Sequence, residues 1–156
     1  MASKVSNATI SVRQSEDVSL LGEKYGGANS RSISGCNEVQ KRIITCTNGG
    51  TKVAAFGSGT GTGQFDKGSF LYGRITNLDT SEVAWVILGD TGGTNDLIIK
   101  LEAGQTYVLN NLYYFVSDSA NVTDYAGSGV MDIDQIHIAA HSSADGVDCE
   151  ILIATS

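Results

Sequence analysis

From residue 40 onward, short runs rich in apolar and β-branched residues recur at intervals of roughly ten residues, each closed by Gly, Asn, Asp, Ser or Thr. The runs are QKRIITCT, KVAAFG, FLYGRITNL, EVAWVILGD, DLIIKLEAG, QTYVLNNLYYFVSD, DIDQIHIAAHSS and VDCEILIATS. None carries apolar residues at helical spacing over three turns, whereas several alternate. In DLIIKLEAG, Leu97, Ile99, Leu101 and Ala103 fall on one side, and Ile98, Lys100 and Glu102 on the other. VAWVIL is apolar throughout and predicts a central strand covered on both faces, with Trp85 packed in the core. The pattern predicts an all-β fold: an antiparallel β-sandwich, jelly-roll-like, with no helix beyond two turns.

Residues 1–39 have a different texture. ATISVR alternates and reads as a short strand, while LLGEKYGGANSRSISG carries turn residues throughout. Too few apolar residues fall in any regular period to build a core. The chain therefore divides into an extended, polar N-terminal arm (1–39) and a sandwich domain (40–156). Charge follows the same division. Residues 1–42 hold six basic and four acidic side chains, whereas residues 101–156 hold eight acidic side chains and no Lys or Arg. The arm is expected to lie across an acidic surface, belonging to another subunit in a repeating assembly. Pairing of ATISVR with a free sheet edge would supply the grip. A body this acidic, in a chain of net charge −7, repels phosphates and predicts no nucleic-acid partner.

Other classes are narrowed by composition. A chain of 156 residues is long enough for one domain with a real core. Charged residues make up only 17% and proline is absent, which argues for order. No apolar run approaches the length of a membrane span, and residues 1–18 contain no apolar export segment, so no membrane partner is expected. Cys36, Cys46 and Cys149 are widely spaced and form no C-x-x-C pair, so buried, reduced thiols with no disulfide essential to the fold are the expectation.

Sequence patterns that could carry chemistry are incomplete. The glycines of GSGTGTGQFD (57–66) fit no register of the dinucleotide fingerprint, and GQFDKGSF lacks the lysine of a phosphate loop. An inter-strand loop is the better reading. His137 and His141 would share a strand face but lie about 13 Å apart, too far for one zinc ion. Asp132 and Asp134 would point to the opposite face. No G-x-S-x-G elbow is present. The loops holding Asp90, Asn95 and Asp96, and Asp118, Asn121 and Asp124, lack alternating calcium ligands. The YY pair predicts one ring of Tyr113 and Tyr114 on each strand face, one of them exposed. No catalytic, cofactor or metal residue is assigned, and the chain is expected not to be an enzyme.

GQFDKGSFLYGRITNLDTSEVAWVILGD followed by LIIKLEAGQTYVLNN, residues 63–112, resembles a pattern in structural proteins of tailed-bacteriophage virions. There a strand ending RITNLD leads to an apolar strand and then to an L-x-AG segment. The resemblance implies a small jelly-roll-like assembly module without catalytic residues. It implies a capsid decoration (cement) protein made in the host cytoplasm, binding the major capsid protein or other virion proteins as a homo-oligomer. Tail, neck or fibre-attachment components and a carbohydrate-binding module are the alternatives. A hydrolase would need a cleft pairing carboxylates, or His137, with a nucleophile.

Overall fold

Alternation along the chain is realised as strands almost everywhere in the computed structural model, which describes residues 7–58, 63–89, 96–115, 130–141 and 145–156. A long hairpin comes first, β1 (Ala8–Leu20) and β2 (Glu23–Cys36). The body follows with β3 (Glu38–Cys46), β4 (Thr51–Gly57), β5 (Phe65–Asp66), β6 (Phe70–Asn77), β7 (Ala84–Gly89) and β8 (Asp96–Leu101). It continues with β9 (Thr106–Leu109), β10 (Tyr113–Phe115), β11 (Val130–Asp132), β12 (Gln135–Ala140) and β13 (Val147–Thr155). Among the described residues the only helical element is a 3-10 turn, Lys67–Ser69, capped by the Asp66 carboxylate.

Two main sheets form the body. One has the order β5-β4-β12-β7-β8, the other β3-β13-β6-β9. All neighbours are antiparallel except β4 and β5, which pair in parallel over two residues, so the first sheet is mixed. Strands β10 and β11 form a separate pair, so QTYVLNNLYYFVSD yields two strands rather than one.

Each main sheet turns one face to a common core. Val86, Leu88, Ile136 and Ile138 from the first sheet join Ile75, Cys149, Ile151 and Ile153 from the second in one hydrophobic cluster. Period two explains the selection: on β13, Cys149, Ile151 and Ile153 face the core while Glu150 and Leu152 face away. Phe56 contributes ring contacts with Phe65 and Phe70 at centroid distances of 5.8 and 5.7 Å.

The link between the sheets is polar. Asn77, the last residue of β6, is fully buried. Its Nδ2 donates to the carbonyls of Glu82 (2.8 Å) and Leu101 (3.1 Å), and its Oδ1 accepts from the Asp79 N–H (3.0 Å). Its backbone N–H donates to Gln105 O, and its carbonyl accepts from the Gly104 N–H. Gly104 sits at φ 75°, where a side chain would be strained. Asp79 in turn accepts from the Ser81 and Glu82 N–H groups, which hold its carboxyl below the usual range. One amide thus joins β6 to the β6–β7 connection and to the turn after β8.

Two sequence expectations need correction. Strand β7 is central, but only Ala84, Val86 and Leu88 face the core; Trp85 and Ile87 lie half-buried on the outer face. The run is apolar on both sides, yet no second layer covers the outer one among the described residues. Residues 8–36 are not irregular: they form a hairpin in register from Ala8↔Cys36 to Leu20↔Glu23, and ATISVR pairs with β2 rather than with another sheet's edge. Strand β3 begins at Glu38, two residues before the expected change at residue 40.

Replacing Asn77 by Ala leaves the Glu82 and Leu101 carbonyls without their buried donor. The expected loss is on the order of 2–4 kcal/mol of stability, read as a lower denaturation midpoint with an unchanged slope. A variant as stable as the parent would refute this role.

Candidate interaction surface

The hairpin is built on one alternating pattern. Ala8, Ile10, Val12, Gln14, Glu16, Val18 and Leu20 share one face of β1. The register adds Ile33, Arg31, Asn29, Gly27, Tyr25 and Glu23 to that face from β2. The opposite face holds Ser11, Arg13, Ser15, Asp17 and Ser19. One side is therefore apolar at both ends and polar in the middle, and the other is polar throughout.

The apolar end at the base is seated. Ile33 and Cys36 form a cluster with Tyr72 of β6 and Ala154 of β13, with Ile10, Val12, Leu71 and Leu152 packed against it. This cluster lies on the outer face of the four-stranded sheet, since the inner positions Ile75, Ile151 and Ile153 belong to the core. Arg31 donates to the Asn110 side chain (2.9 Å), and the Asn37 N–H to Thr155 O (2.9 Å).

The apolar end at the tip is bare. Val18, Leu20 and Tyr25 are more than half exposed, and Leu21 is 97% exposed. Leu21 and Gly22 form the two-residue turn, both at positive φ (53° and 85°), as in a type I′ hairpin. Such turns favour Asn-Gly; a leucine there is strained, and its side chain stands in water. Further down, a Cβ at Gly26 would lie 2.3 Å from the Glu16 carbonyl oxygen, so the two strands can approach so closely only with glycine there.

Charge on the hairpin differs from the sequence expectation. Arg13, Lys24 and Arg31 are matched by Glu16, Asp17 and Glu23, so residues 8–36 are neutral. Lys41 and Arg42, which made the N-terminal segment basic, belong to β3 of the body. What seats the hairpin is apolar contact with its own body, not attraction to acid.

Beyond the hairpin base, the outer face of the four-stranded sheet carries Val39 and Ile43 of β3 and Val108 of β9, all exposed. At its centre Glu150, 13% exposed, is paired by Lys41 (2.9 Å) and by Arg74. The bond from Lys41 outweighs burial and, with Arg74, holds the Glu150 carboxyl below the usual range. The outer face of the five-stranded sheet carries Trp85, Ile87 and Ile98 beside Lys100 and His137.

The sequence-derived candidates do not converge. His137 lies on that outer face opposite Ile87, its Nε2 without a partner among the described residues; His141 lies past the end of β12, its backbone N–H on Val83 O. Asp132 and Asp134 both pair with Lys67. Burial opposes the charge on that ammonium, but its bonds to Asp134 and Asp132 prevail and raise its pKa. Among the described residues no group of His, Cys, Asp or Glu is placed to hold a metal. Cys36, Cys46 and Cys149 are free and buried; the Cys46 contact and burial together push the Cys149 thiol up.

Tyr113 is exposed. Residues 59–62 of the glycine loop, Asp90, Asn95 and the loop with Asp118, Asn121 and Asp124 lie outside the described residues. An open cleft of about 450 Å³ between β3 and the β4–β5 edge is lined by Gln40, Arg42, Lys52, Gln64 and Phe65 among others, and offers no His, Cys or Ser among the described residues. Arg42 donates across it to the Val53 carbonyl.

The bare tip went unread in the sequence. Its signal was the even-numbered series Ile10, Val12, Val18 and Leu20, interrupted by Gln14 and Glu16. No family model, curated protein or solved structure matches this chain.

Because Glu150 titrates lower in the folded chain than in the unfolded one, its contribution is fully present above about pH 4.3 and is lost as pH falls through the folded value. Glu150→Gln is expected to melt about 2–4 °C below the parent at pH 7. That gap should close on acidification. A gap that widens in acid would contradict the assignment.

Proposed function

We propose that this chain is a non-enzymatic structural protein of a tailed-phage virion, acting as a head decoration (cement) protein that docks between capsomers. The fold we infer is a jelly-roll-like β-sandwich carrying an N-terminal arm. The strand orders support it: the sheets take β3, β13, β6, β9 and β4, β12, β7, β8, the alternation of two nested Greek keys. The observation that carries the assembly reading is the hairpin, seated at one apolar end and bare at the other. A surface that exposes Leu21 in a strained turn is built for contact. Reinforcement of a shell then comes from area buried at many repeated sites rather than from chemistry. Partners are the major capsid protein or other virion proteins, and the place of action is the virion.

A carbohydrate-binding module is the second reading, favoured by one observation: Trp85 lies half-buried on an open sheet face beside Ile98 and Lys100. A glycan-dependent shift of Trp85 fluorescence would select it.

The test is made on particles produced by the genome that encodes this chain. Mass spectrometry of purified particles is expected to find the chain at high copy, and image reconstruction to find it on the head. A chain lacking residues 1–36 is expected to keep a β-type circular dichroism spectrum, melt several degrees lower through loss of cover over Tyr72, and no longer bind. Absence of the full-length chain from purified particles would overturn the reading. Undiminished binding of the truncated chain would remove the hairpin from it.

A further inference from the structure

We infer that the hairpin tip is a self-association element that docks on the outer face of the four-stranded sheet of a second copy of this chain. The inference rests on the assembly reading and names the partner of the bare tip.

One face runs continuously along the hairpin. Ile10, Val12 and Ile33 at the base, and Val18, Leu20 and Tyr25 at the tip, lie on the same side of one twisted ribbon. The base already identifies the surface chemistry that this side fits: the outer face around Tyr72, Leu152 and Ala154. That face continues past the base with Val39, Ile43 and Val108, and Ile43 is 62% exposed. Each copy thus carries the tip and an uncovered stretch of the kind of surface that seats the base.

The tip also has the reach. Seven residue steps separate Arg13 from Leu20, about 23 Å of strand. Every side chain from Arg13 to Ser30 is exposed, so this stretch is not folded back on its own body. A tip that projects so far can reach a neighbour's sheet while its base stays seated.

Charge agrees. Lys41 and Arg74 converge on the single carboxylate of Glu150, which makes the centre of the receiving face locally positive, although Asp148 balances the face as a whole. Asp148, toward the end of that face, is engaged by the Thr45 hydroxyl at 2.6 Å. Glu16 and Glu23 lie on the apolar side of the hairpin, where they would meet Lys41 and Arg74. The contact is head-to-tail, with tip on face, so copies can close a ring or exchange tips in pairs.

The test uses the full chain in sedimentation velocity, at up to about 100 µM, well above the micromolar constants of small interfaces. Three variants are compared: Leu21→Ser with Tyr25→Ser, Ile43→Lys, and Ile98→Lys on the other sheet. All these positions are exposed, and circular dichroism checks that the variants fold. The parent is expected to associate, with at least a tenfold weaker constant in the tip variant and in Ile43→Lys and no change in Ile98→Lys. Mixing the tip variant with Ile43→Lys should restore a dimer, because one supplies an intact face and the other an intact tip.

A monomeric parent, a mixture that stays monomeric, or loss of association only in Ile98→Lys would each overturn the inference. Particle binding is measured in parallel. A monomeric parent that binds particles through the tip would sink the second-copy partner and leave the virion reading standing. An associating parent absent from particles would do the reverse.

Discussion

The buried amide of Asn77 fixes where β6 ends and therefore which of its side chains point inward. Its bonds to Glu82, Leu101 and Asp79 tie the strand to the connection that crosses to the other sheet. A one-residue slip would turn Ile75 out and Arg74 in. With the register held, Ile75 enters the core, while Tyr72 and Arg74 face outward. Tyr72 is the floor on which the hairpin base sits, and Arg74 is half of the clasp on Glu150. The hairpin's seat, and hence the direction in which its tip projects, follows from that one polar corner.

The same corner explains why two separate sequence segments belong together. RITNLD holds Asn77 and Asp79, and LEAG holds Leu101 and Gly104. Asn77 bonds to both Leu101 and Gly104. The two segments belong together because a buried amide needs a carbonyl, and because a glycine at positive φ lets the turn return its N–H. Such a corner is a feature of construction. Its presence says how the sheets are joined and leaves the choice of partner to the surfaces.

Strand positions were legible because period two and turn residues are local signals: KVAAFG, FLYGRITNL and EVAWVILGD became β4, β6 and β7 with shifts of a residue or two. Cover was not legible. Trp85 and Ile87 are as apolar as Val86, and only the stacking of sheets decides which side becomes the core. The hairpin was misread for the opposite reason. Gln14, Glu16, Gly27, Asn29 and Arg31 interrupt a face that is apolar at its two ends, so polar composition hides the alternation. Net charge misleads as well, because the count over residues 1–42 includes Lys41 and Arg42, which lie in the body, and without them the N-terminal segment is neutral.

A two-stranded ribbon without a layer behind it is marginal in water, whatever its register. The free chain therefore holds a packed body and a hairpin whose outer half is uncovered, which the proposed assembly would complete. Amide hydrogen exchange compares the free and assembled chain at single segments and tests this most directly. Fast exchange is expected over residues 14–29 in the free chain, with strong slowing there on assembly and little change in β12 and β13. Equal protection of residues 14–29 in both states, or slowing confined to the body, would contradict it.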